Sequence, residues 1–373
     1  MNPTISNLSE ENNMLTFRLS GVNVSFANAI RRIMLSEVPC VIMKAAPYES
    51  CTIDITTNTT RMNNELLKQR IACVPVHIND TTAPIDNYVI EVDKTNESDV
   101  IDFVTTEDFK IKDKTTDKYL SQSQVRAIFP PDPITNEYID ITRLRPRISA
   151  ELEGEQLTFT ATFDIGYAKQ DGAYNVVSTA CYQNTPDPDA ISREWADVEK
   201  KLRSEGKNTE QIEFEKKDFY YLQAQKLFVS DSFDFTVETV GQFTNMDVVF
   251  RSTHVMLDKL KMFKQAVQTN PEIISQSDTT LQNGFDIKLI GEDYTLGKAI
   301  EYVLYNKYYS MDDSKPLNFC GFRKPHPHID ESLIRIAFRE PNEKSNVVSM
   351  LVDSAKSLEK VFQTIADDFK PAE

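Results

Sequence analysis

Two stretches of the chain, separated by a constant offset of 270 residues, arrange their apolar side chains in the same order. They read "VSFANAIRRIMLSEVP" at residues 24–39 and "YTLGKAIEYVLYNKY" at residues 294–308. Apolar residues recur in both at i, i+3, i+4, i+7 and i+8, which predicts one buried stripe along a helix. The first stripe comprises Phe26, Ala29, Ile30, Ile33 and Met34, and the second comprises Leu296, Ala299, Ile300, Val303 and Leu304.

The similarity continues upstream of both predicted helices. Three apolar residues alternate with other residues before a glycine, as in a half-buried strand followed by a turn. These residues are Leu15, Phe17 and Leu19 before Gly21, and Phe285, Ile287 and Leu289 before Gly291. Residue types that cap helix N-termini follow each glycine, namely Asn23 or Ser25 and Asp293 or Thr295. Each unit is therefore predicted to be a strand, a glycine turn and an amphipathic helix.

Each half also contains a later predicted helix, over residues 249–267 and 352–369, where apolar residues again follow helical spacing. Any two α+β domains contain strand–helix pairs, so coincidence is the alternative explanation. The unbroken offset through strand, glycine and helix favours a duplicated unit instead. We therefore expect an α+β fold in which two similar halves pack about a pseudo-twofold axis, with the two stripes in contact.

Charge and cysteine content narrow the function classes. The 373-residue chain carries a formal net charge of −16. Because phosphate neutralisation drives nucleic-acid binding, direct sequence-specific binding of DNA or RNA is not expected. The cysteines are odd in number and scattered, which favours a reducing compartment over a disulfide framework. The polar N-terminus and the short apolar runs predict neither a secretory signal nor a membrane span. The cysteines are Cys40, Cys51, Cys73, Cys181 and Cys320.

The sequence shows no catalytic constellation. The ten glycines include no phosphate-binding loop, and no cofactor is expected. Asp312 and Asp313 lack neighbours that would complete an acidic metal site, so a polar turn is expected there. One hypothesis for an enzyme remains, a metal site at Cys320, His326 and His328, although this spacing is not a usual zinc pattern.

The first half resembles a known family. The stretch "NVSFANAIRRIMLSEVP" is similar to the alpha motif of RNA polymerase assembly subunits: the bacterial alpha subunit, the archaeal D subunit and the third subunit of RNA polymerase II. The segment "NTTRMNNELLKQRIACVPV" at residues 58–76 resembles the next family segment. Further segments follow in the family order: "LRP" at 144–146, "GYAK" at 166–169, "ACY" at 180–182 and "DSFDFTVETVGQF" at 231–243.

The second half resembles a different member. "GEDYTLGKAIEYVL" at residues 291–304 and "FCGFRKPHPH" at 319–328 are similar to the archaeal L subunit and the eleventh subunit of RNA polymerase II. Those proteins are the heterodimer partners of the first type, so the resemblance implies an intramolecular pseudo-heterodimer. Fused versions of the pair occur in large cytoplasmic DNA viruses. The resemblance therefore implies a viral source. It also implies that the protein is located in the viral factory of the host cytoplasm and in the virion.

The function implied by the resemblance is that of a non-catalytic assembly platform of a multisubunit DNA-directed RNA polymerase. Its implied partners are the second-largest and largest subunits and the small zinc-bearing subunits, without membrane binding or homo-oligomerisation. Two alternatives stay open. One is the metal-dependent enzyme described above, and the other is a free regulatory protein associated with the polymerase.

Two arginines distinguish the halves. Arg31 and Arg32 lie off the predicted stripe and are expected to point outward, whereas Glu301 and Tyr302 occupy these positions in half two. The resemblance implies that this arginine pair holds the second-largest polymerase subunit. The resemblance also implies that four further residues contact a large subunit, namely Glu65, Arg70, Lys169 and Tyr174. The loop at residues 166–176 departs from the family and keeps only the aromatic at Tyr174, so its partner contact stays open.

These features predict five segments. Dimerisation half one comprises residues 1–46 and 220–268, interrupted by an inserted, mostly β domain at 47–219. That insertion is expected to carry a charged helical arm, broken near Gly206 and anchored to the body by Trp195. A linker is expected at 269–284, followed by dimerisation half two at 285–373.

Overall fold

A computed structural model describes residues 1–147, 149, 153–278, 281–311 and 314–370. The described residues form eight α-helices: α1 (Val24–Ser36), α2 (Asn64–Ala72), α3 (Gln122–Ile128), α4 (Pro188–Ser204), α5 (Thr209–Asp218), α6 (Asn245–Thr269), α7 (Tyr294–Tyr308) and α8 (Lys344–Asp368). They also form seventeen β-strands: β1 (Thr4–Glu11), β2 (Met14–Ser20), β3 (Cys40–Ile42), β4 (Ile53–Asn58), β5 (Tyr88–Thr95), β6 (Asp102–Thr105), β7 (Lys110–Asp113), β8 (Lys118–Tyr119), β9 (Asp140–Leu144), β10 (Gln156–Thr162), β11 (Asp164–Gly166), β12 (Val177–Pro186), β13 (Phe228–Thr239), β14 (Ile274–Gln276), β15 (Gly284–Ile290), β16 (Leu317–Arg323) and β17 (Glu331–Phe338). Within this described part of the chain, no helix is both long and apolar enough to cross a bilayer.

Backbone contacts divide the chain into two compact units. The first comprises Met1–Ile33, Thr179–Glu238 and Asn245–Glu373, and so contains most of both predicted dimerisation halves. The second comprises Met34–Ser178 and Thr239–Thr244.

Half one, in the first unit, is built on a sheet with strand order β1-β2-β13-β12. The predicted alternation holds in β2, where Leu15, Phe17 and Leu19 are buried. Phe17 lies opposite Phe235 of β13, and the two rings stack with their centroids 4.9 Å apart. The left-handed backbone of Gly21 (φ 75°), which glycine adopts without strain, turns the chain towards α1.

Half two repeats the alternating buried strand and the glycine turn. Its antiparallel sheet has the order β14-β15-β17-β16, and the alternating residues of β15 are buried. Gly291 (φ 72°) makes the corresponding turn. Asp293 then caps α7, because its Oδ1 accepts a hydrogen bond from the Thr295 amide at 2.8 Å. In half one, Asn23 Oδ1 accepts the equivalent bond from the Ser25 amide at 3.0 Å.

The structural repeat is longer than the sequence pattern predicts. α6 and α8 are each 25 residues long, and their first residues, Asn245 and Lys344, lie 99 positions apart. The same offset places residues 232–239 of β13 on β17. Equivalent strands also occupy equivalent places in the two sheets. The offset changes from 270 to 99 because half one carries the insertion between its first helix and its later strands.

The second unit is mostly β. Its main sheet is antiparallel with the order β4-β10-β5-β7-β8, and two-stranded ribbons join β11 to β3 and β6 to β9. Its core includes Ile90, Val92, Leu157 and Phe159, which alternate along the paired strands β5 and β10 and are at most 2% exposed. The predicted α+β class with an inserted β region is confirmed.

The charged arm consists of two helices, α4 and α5, which are separated at Gly206 (φ 77°) as predicted. It lies in the first unit, whereas the predicted boundaries 47–219 grouped it with the insertion. Trp195 packs with Leu202, Phe219 and Ala224. The tryptophan therefore builds a small core inside the arm, in contrast to its predicted role of anchoring the arm to the body.

The predicted linker is partly regular structure. After a short 3-10 turn at Pro271–Ile273, β14 pairs with β15 so that Ile274 lies opposite Ile287. The linker thus contributes an edge strand to the sheet of half two.

Candidate functional site

The first unit joins its two halves most extensively through α6 and α8. Each helix buries one face at helical spacing, and apolar burial of this kind contributes about 25 cal/mol per Å². The apolar residues buried on α6 include Val249, Met256, Leu260, Phe263 and Val267. Those buried on α8 include Leu351, Ala355, Leu358, Phe362 and Ile365.

Aromatic side chains extend this contact. The ring of Phe26 on α1 lies 5.9 Å from that of Phe362 on α8 and 5.6 Å from that of Tyr302 on α7. Phe17 of half one meets Phe369 of half two edge to face at 4.8 Å. Phe17, Phe26, Phe362 and Phe369 are each at most 3% exposed, so the two halves share one apolar core.

The two predicted stripes are buried, each residue being at most 1% exposed. Their direct contact with each other stays a prediction. α1 and α7 make no backbone contact as extensive as that between α6 and α8. The residues of the first stripe are Phe26, Ala29, Ile30, Ile33 and Met34, and those of the second are Leu296, Ala299, Ile300, Val303 and Leu304.

Arg32 lies in the contact between the halves. Its Nη2 donates to Asp293 Oδ2 at 2.5 Å and its Nε donates to Thr295 Oγ1 at 2.8 Å, both at the start of α7. The side chains of Arg32 and Asp293 are 34% and 24% exposed. Arg32 was expected to point outward, whereas its side chain contacts half two. Arg32 lies beside the apolar stripe of α1, and the start of α7 approaches this polar side of the helix.

Arg31 has a different environment. Its Nε and Nη2 both donate to Asn28 Oδ1, one turn earlier on α1, at 3.1 and 2.8 Å. Arg31 is half-buried. A guanidinium held in this way keeps further donors for a carboxylate or carbonyl partner.

A buried ion pair also crosses between the halves. Lys259 Nζ on α6 donates to both carboxylate oxygens of Glu292, at 2.8 and 2.9 Å. The two side chains are 10% and 17% exposed. A more exposed pair, Lys264 with Glu359, joins α6 to α8. A buried charge that loses its partner is strongly destabilising, so the Lys259–Glu292 pair constrains how the halves meet.

In the second unit, the predicted residues Glu65 and Arg70 lie on α2, and both are exposed. Arg70 donates from Nε to the Ile141 carbonyl and from Nη2 to the Asp140 carbonyl, both at 2.7 Å. Arg70 thereby ties α2 to β9. It also borders a groove of about 770 Å³, whose lining includes Arg61, Leu66, Phe103, Arg143 and Arg145.

Lys169 and Tyr174 belong to the divergent loop of the second unit. Lys169 is exposed, and its amide donates to the Ser36 carbonyl at 2.8 Å. Tyr174 is only 3% exposed, and burial raises the pKa of its phenol. The buried thiol of Cys40 donates to the Tyr174 carbonyl. Tyr174 was expected to contact a large subunit, whereas it packs in the interior of its unit and presents little surface for such a contact.

Comparison with known proteins gives two matches, both to models described as the RNA polymerase Rpb3/Rpb11 dimerisation domain. The first match covers residues 16–260 and the second covers residues 285–368. The chain belongs to the RNA polymerase Rpb3/Rpb11 dimerisation domain family. It is a non-catalytic subunit of a multisubunit DNA-directed RNA polymerase.

Individual relatives match this polymerase subunit over long or short stretches of the chain. DNA-directed RNA polymerase subunit Rpo3 of Pyrococcus furiosus is 23% identical over 279 residues, covering 70% of this chain and 95% of that protein. DNA-directed RNA polymerases I and III subunit RPAC1 of Saccharomyces cerevisiae is 24% identical and covers 66% of this chain and 82% of that protein. A shorter match, 34% identical over 84 residues, is to the probable RPAC2 subunit of polymerases I and III in Caenorhabditis briggsae, of which 51% is covered.

The alternative metal site is not assembled in this polymerase subunit. Burial raises the pKa of the Cys320 thiol to about 12, and the thiol donates to the Glu301 carbonyl at 3.8 Å. His326 and His328 are exposed, with their rings 5.0 Å apart. The described residues contain no cluster of three or more potential metal ligands. The predicted turn at Asp312 and Asp313 lies outside the described residues.

Sequence reasoning missed the three described ion pairs between the halves of this polymerase subunit, Arg32–Asp293, Lys259–Glu292 and Lys264–Glu359. Lys259 lies inside the predicted helix 249–267, at helical spacing from Met256 and Phe263. A lysine on the apolar face of a helix indicates a buried partner of opposite charge. This signal could have identified Lys259, although only the fold identifies Glu292 as its partner.

Proposed function

We propose that this polymerase subunit combines in one chain a platform that its relatives divide between two chains, and that it nucleates assembly of the polymerase. The platform captures the second-largest subunit, then the largest subunit and the small zinc-bearing subunits. The observation that carries the proposal is the presence of two dimerisation domains whose long helices, α6 and α8, pack within one compact unit. Such a platform needs no separate partner chain before it meets the large subunits.

Co-expression of the tagged full chain with both large subunits from the same source tests the proposal. We expect a complex with one copy of each large subunit and one copy of the platform on size-exclusion chromatography. Recovery of the platform alone, with both large subunits soluble in the same lysate, would contradict the proposed role.

We assign capture of the second-largest subunit to Arg31 in the first unit, and propose Glu65, Arg70 and Lys169 as contacts in the second. Arg32 and Tyr174 are omitted because the first serves the pairing of the halves and the second is buried. Arg70 also holds β9 in place, so its substitution would disturb the fold. Arg31 offers the cleaner test because its side chain donates to Asn28 on the same helix and does not hold a second element in place in the way that Arg70 does.

Arg31→Ala is expected to weaken capture of the second-largest subunit by about 2 kcal/mol, roughly 30-fold in Kd, because a charged hydrogen bond in the interface is lost. The two halves should pair normally, since the side-chain hydrogen bonds of Arg31 go to Asn28 within half one. Binding titrations of the purified full chains at equal salt measure the effect. Arg203→Ala is the matched control, because the Arg203 side chain on α4 is 69% exposed. If wild type and Arg31→Ala bound the second-largest subunit with equal affinity, Arg31 would not be part of the interface.

Cleavage of the linker should leave the two halves associated. A protease site inserted between Ser277 and Gly284 interrupts the chain but spares the packing of α6 on α8 and the pairing of β14 with β15. Fusion raises the effective concentration of the halves to roughly the millimolar range without adding contacts. We expect the cleaved fragments to elute together from a sizing column at micromolar concentration. Separate elution would show that the covalent link is required.

We further propose a viral source and a location in the host cytoplasm, at the site of viral transcription. The support is the resemblance to fused subunits of large cytoplasmic DNA viruses, together with the free state of all five cysteines, which suits a reducing compartment. Immunofluorescence in infected cells, scored for overlap with cytoplasmic viral DNA, tests this location. Exclusive nuclear staining would contradict it.

A further inference from the structure

The pseudo-twofold relation allows each contact between the halves to be compared with its counterpart. The offset of 270 places Arg32 on Tyr302 and Asp293 on Asn23. Arg32 reaches Asp293 by an ion pair, whereas Tyr302 reaches Phe26 by an edge-to-face ring contact at 5.6 Å. The same location in the fold therefore carries an ion pair on one side of the axis and an aromatic pair on the other.

The hydroxyl groups beside these contacts show the same asymmetry. Thr295 Oγ1 accepts a hydrogen bond from Arg32 Nε. Its counterpart, Ser25 Oγ, is buried without a hydrogen-bond partner among the described residues. The counterpart of Arg32 is Tyr302, so this side has no arginine to donate to Ser25 Oγ. The acceptor is thus present on both sides, and the cation is present on only one.

The buried ion pair is asymmetric as well. The offset of 99 places Lys259 on Leu358, and the offset of 270 places Glu292 on Val22. Leu358 and Val22 are apolar and at most 1% exposed. Two charges on one side of the axis therefore correspond to two buried apolar side chains on the other.

We infer that the Lys259–Glu292 and Arg32–Asp293 pairs are specificity determinants, which make the interface accept only unlike halves. If two copies of half one paired, Lys259 would face Val22 and Arg32 would face Asn23, so neither cation would meet a carboxylate. If two copies of half two paired, Glu292 would face Leu358. Each like pairing buries an uncompensated charge, which is strongly unfavourable.

This discrimination matters for a chain that carries both halves. Neighbouring nascent chains carry identical halves, and apolar burial is non-directional, so it discriminates like from unlike halves less sharply than charge does. The ion pairs supply the distinction because repulsive or unpaired charges reject the wrong partner. They direct half one to half two, which in a single chain is also the nearest partner.

Charge reversal in the full-length chain tests the inference. Lys259→Glu places two carboxylates together and Glu292→Lys places two ammonium groups together. Each single reversal is expected to lower the melting temperature by about 10 °C. The double variant, Lys259→Glu with Glu292→Lys, should regain most of the loss because the pair is restored in the opposite sense. A site that only needs its native side chains for packing would show no such rescue.

Mixing the two single variants tests specificity directly. Half one of the Lys259→Glu chain complements half two of the Glu292→Lys chain, and the reverse combination is also complementary. Refolding equal amounts together is expected to give a one-to-one mixed dimer by native mass spectrometry, which neither chain forms alone. The exchange separates the two halves of each chain, including the packing of α6 on α8, and leaves them joined by the segment between α6 and β14.

The matched control is the pair Lys288–Glu331, whose side chains are both 49% exposed. Reversing either of its charges should shift the melting temperature by less than about 2 °C and give no mixed dimer. The inference would be overturned if both single variants at the Lys259–Glu292 site had the melting temperature of wild type. It would also be overturned if the double variant were not rescued, or if no mixed dimer formed.

Discussion

Ile30→Asp is expected to prevent the first unit from folding. Ile30 is 1% exposed in the stripe of α1, next to Phe26 and Ile33. A carboxylate there would be buried among apolar side chains of the stripe, so we expect a loss of at least about 4 kcal/mol. That is a large part of the roughly 5–15 kcal/mol that stabilises a typical domain.

Circular dichroism during thermal unfolding and the yield of soluble full-length chain measure this effect. Val24→Asp on the same helix is the matched control, since Val24 is 46% exposed. A negative charge in the first turn of a helix is tolerated or slightly favourable, so this variant should stay within about 0.5 kcal/mol of wild type. Similar stability of both aspartate variants would show that the α1 stripe does not form the core of the unit.

Local periodicity was sufficient for much of the fold. The alternation of Leu15, Phe17 and Leu19 predicts β2 because a strand buried on one face repeats every two residues. Asp293 or Thr295 predicts the start of α7 because a capping side chain replaces a missing backbone partner, and Asp293 is the cap. Both signals are local, and both are confirmed.

The start of α8 was predicted eight residues too late, at 352 instead of Lys344. Val347, Met350 and Leu351 extend the helical spacing upstream and could have corrected the boundary. The helix has no side-chain cap at Glu343, so the usual start signal is missing.

Side-chain partners were harder to predict than elements. The pattern around Arg32 shows which face of α1 is apolar, but it does not show that a second element approaches the polar flank. Asp293 lies 261 residues away, so only the packed halves bring it to Arg32. The burial of Tyr174 was not predicted for a related reason, because a motif position does not reveal whether a loop side chain turns inward.

The other large expected effect concerns Phe362→Ala on α8. Phe362 is 0% exposed, and its ring packs 5.9 Å from that of Phe26 across the two halves. Removing a buried phenylalanine costs the transfer free energy of the ring and leaves a cavity, so we expect a loss of about 3–5 kcal/mol. Because the halves share this core, the first unit should still unfold in one transition, at a lower denaturant midpoint.

Urea unfolding followed by circular dichroism checks this expectation, with Phe214→Ala as the matched control. Phe214 lies on α5 and is 72% exposed, so its truncation should change the free energy of unfolding by less than about 0.5 kcal/mol. Separate transitions for the two halves in Phe362→Ala would mean that each half folds on its own core. In that case the halves would fold first, and the contact between α1 and α8 would form afterwards between folded halves. A single shifted transition would mean that pairing and folding are the same event, which is what a platform without a separate partner chain requires.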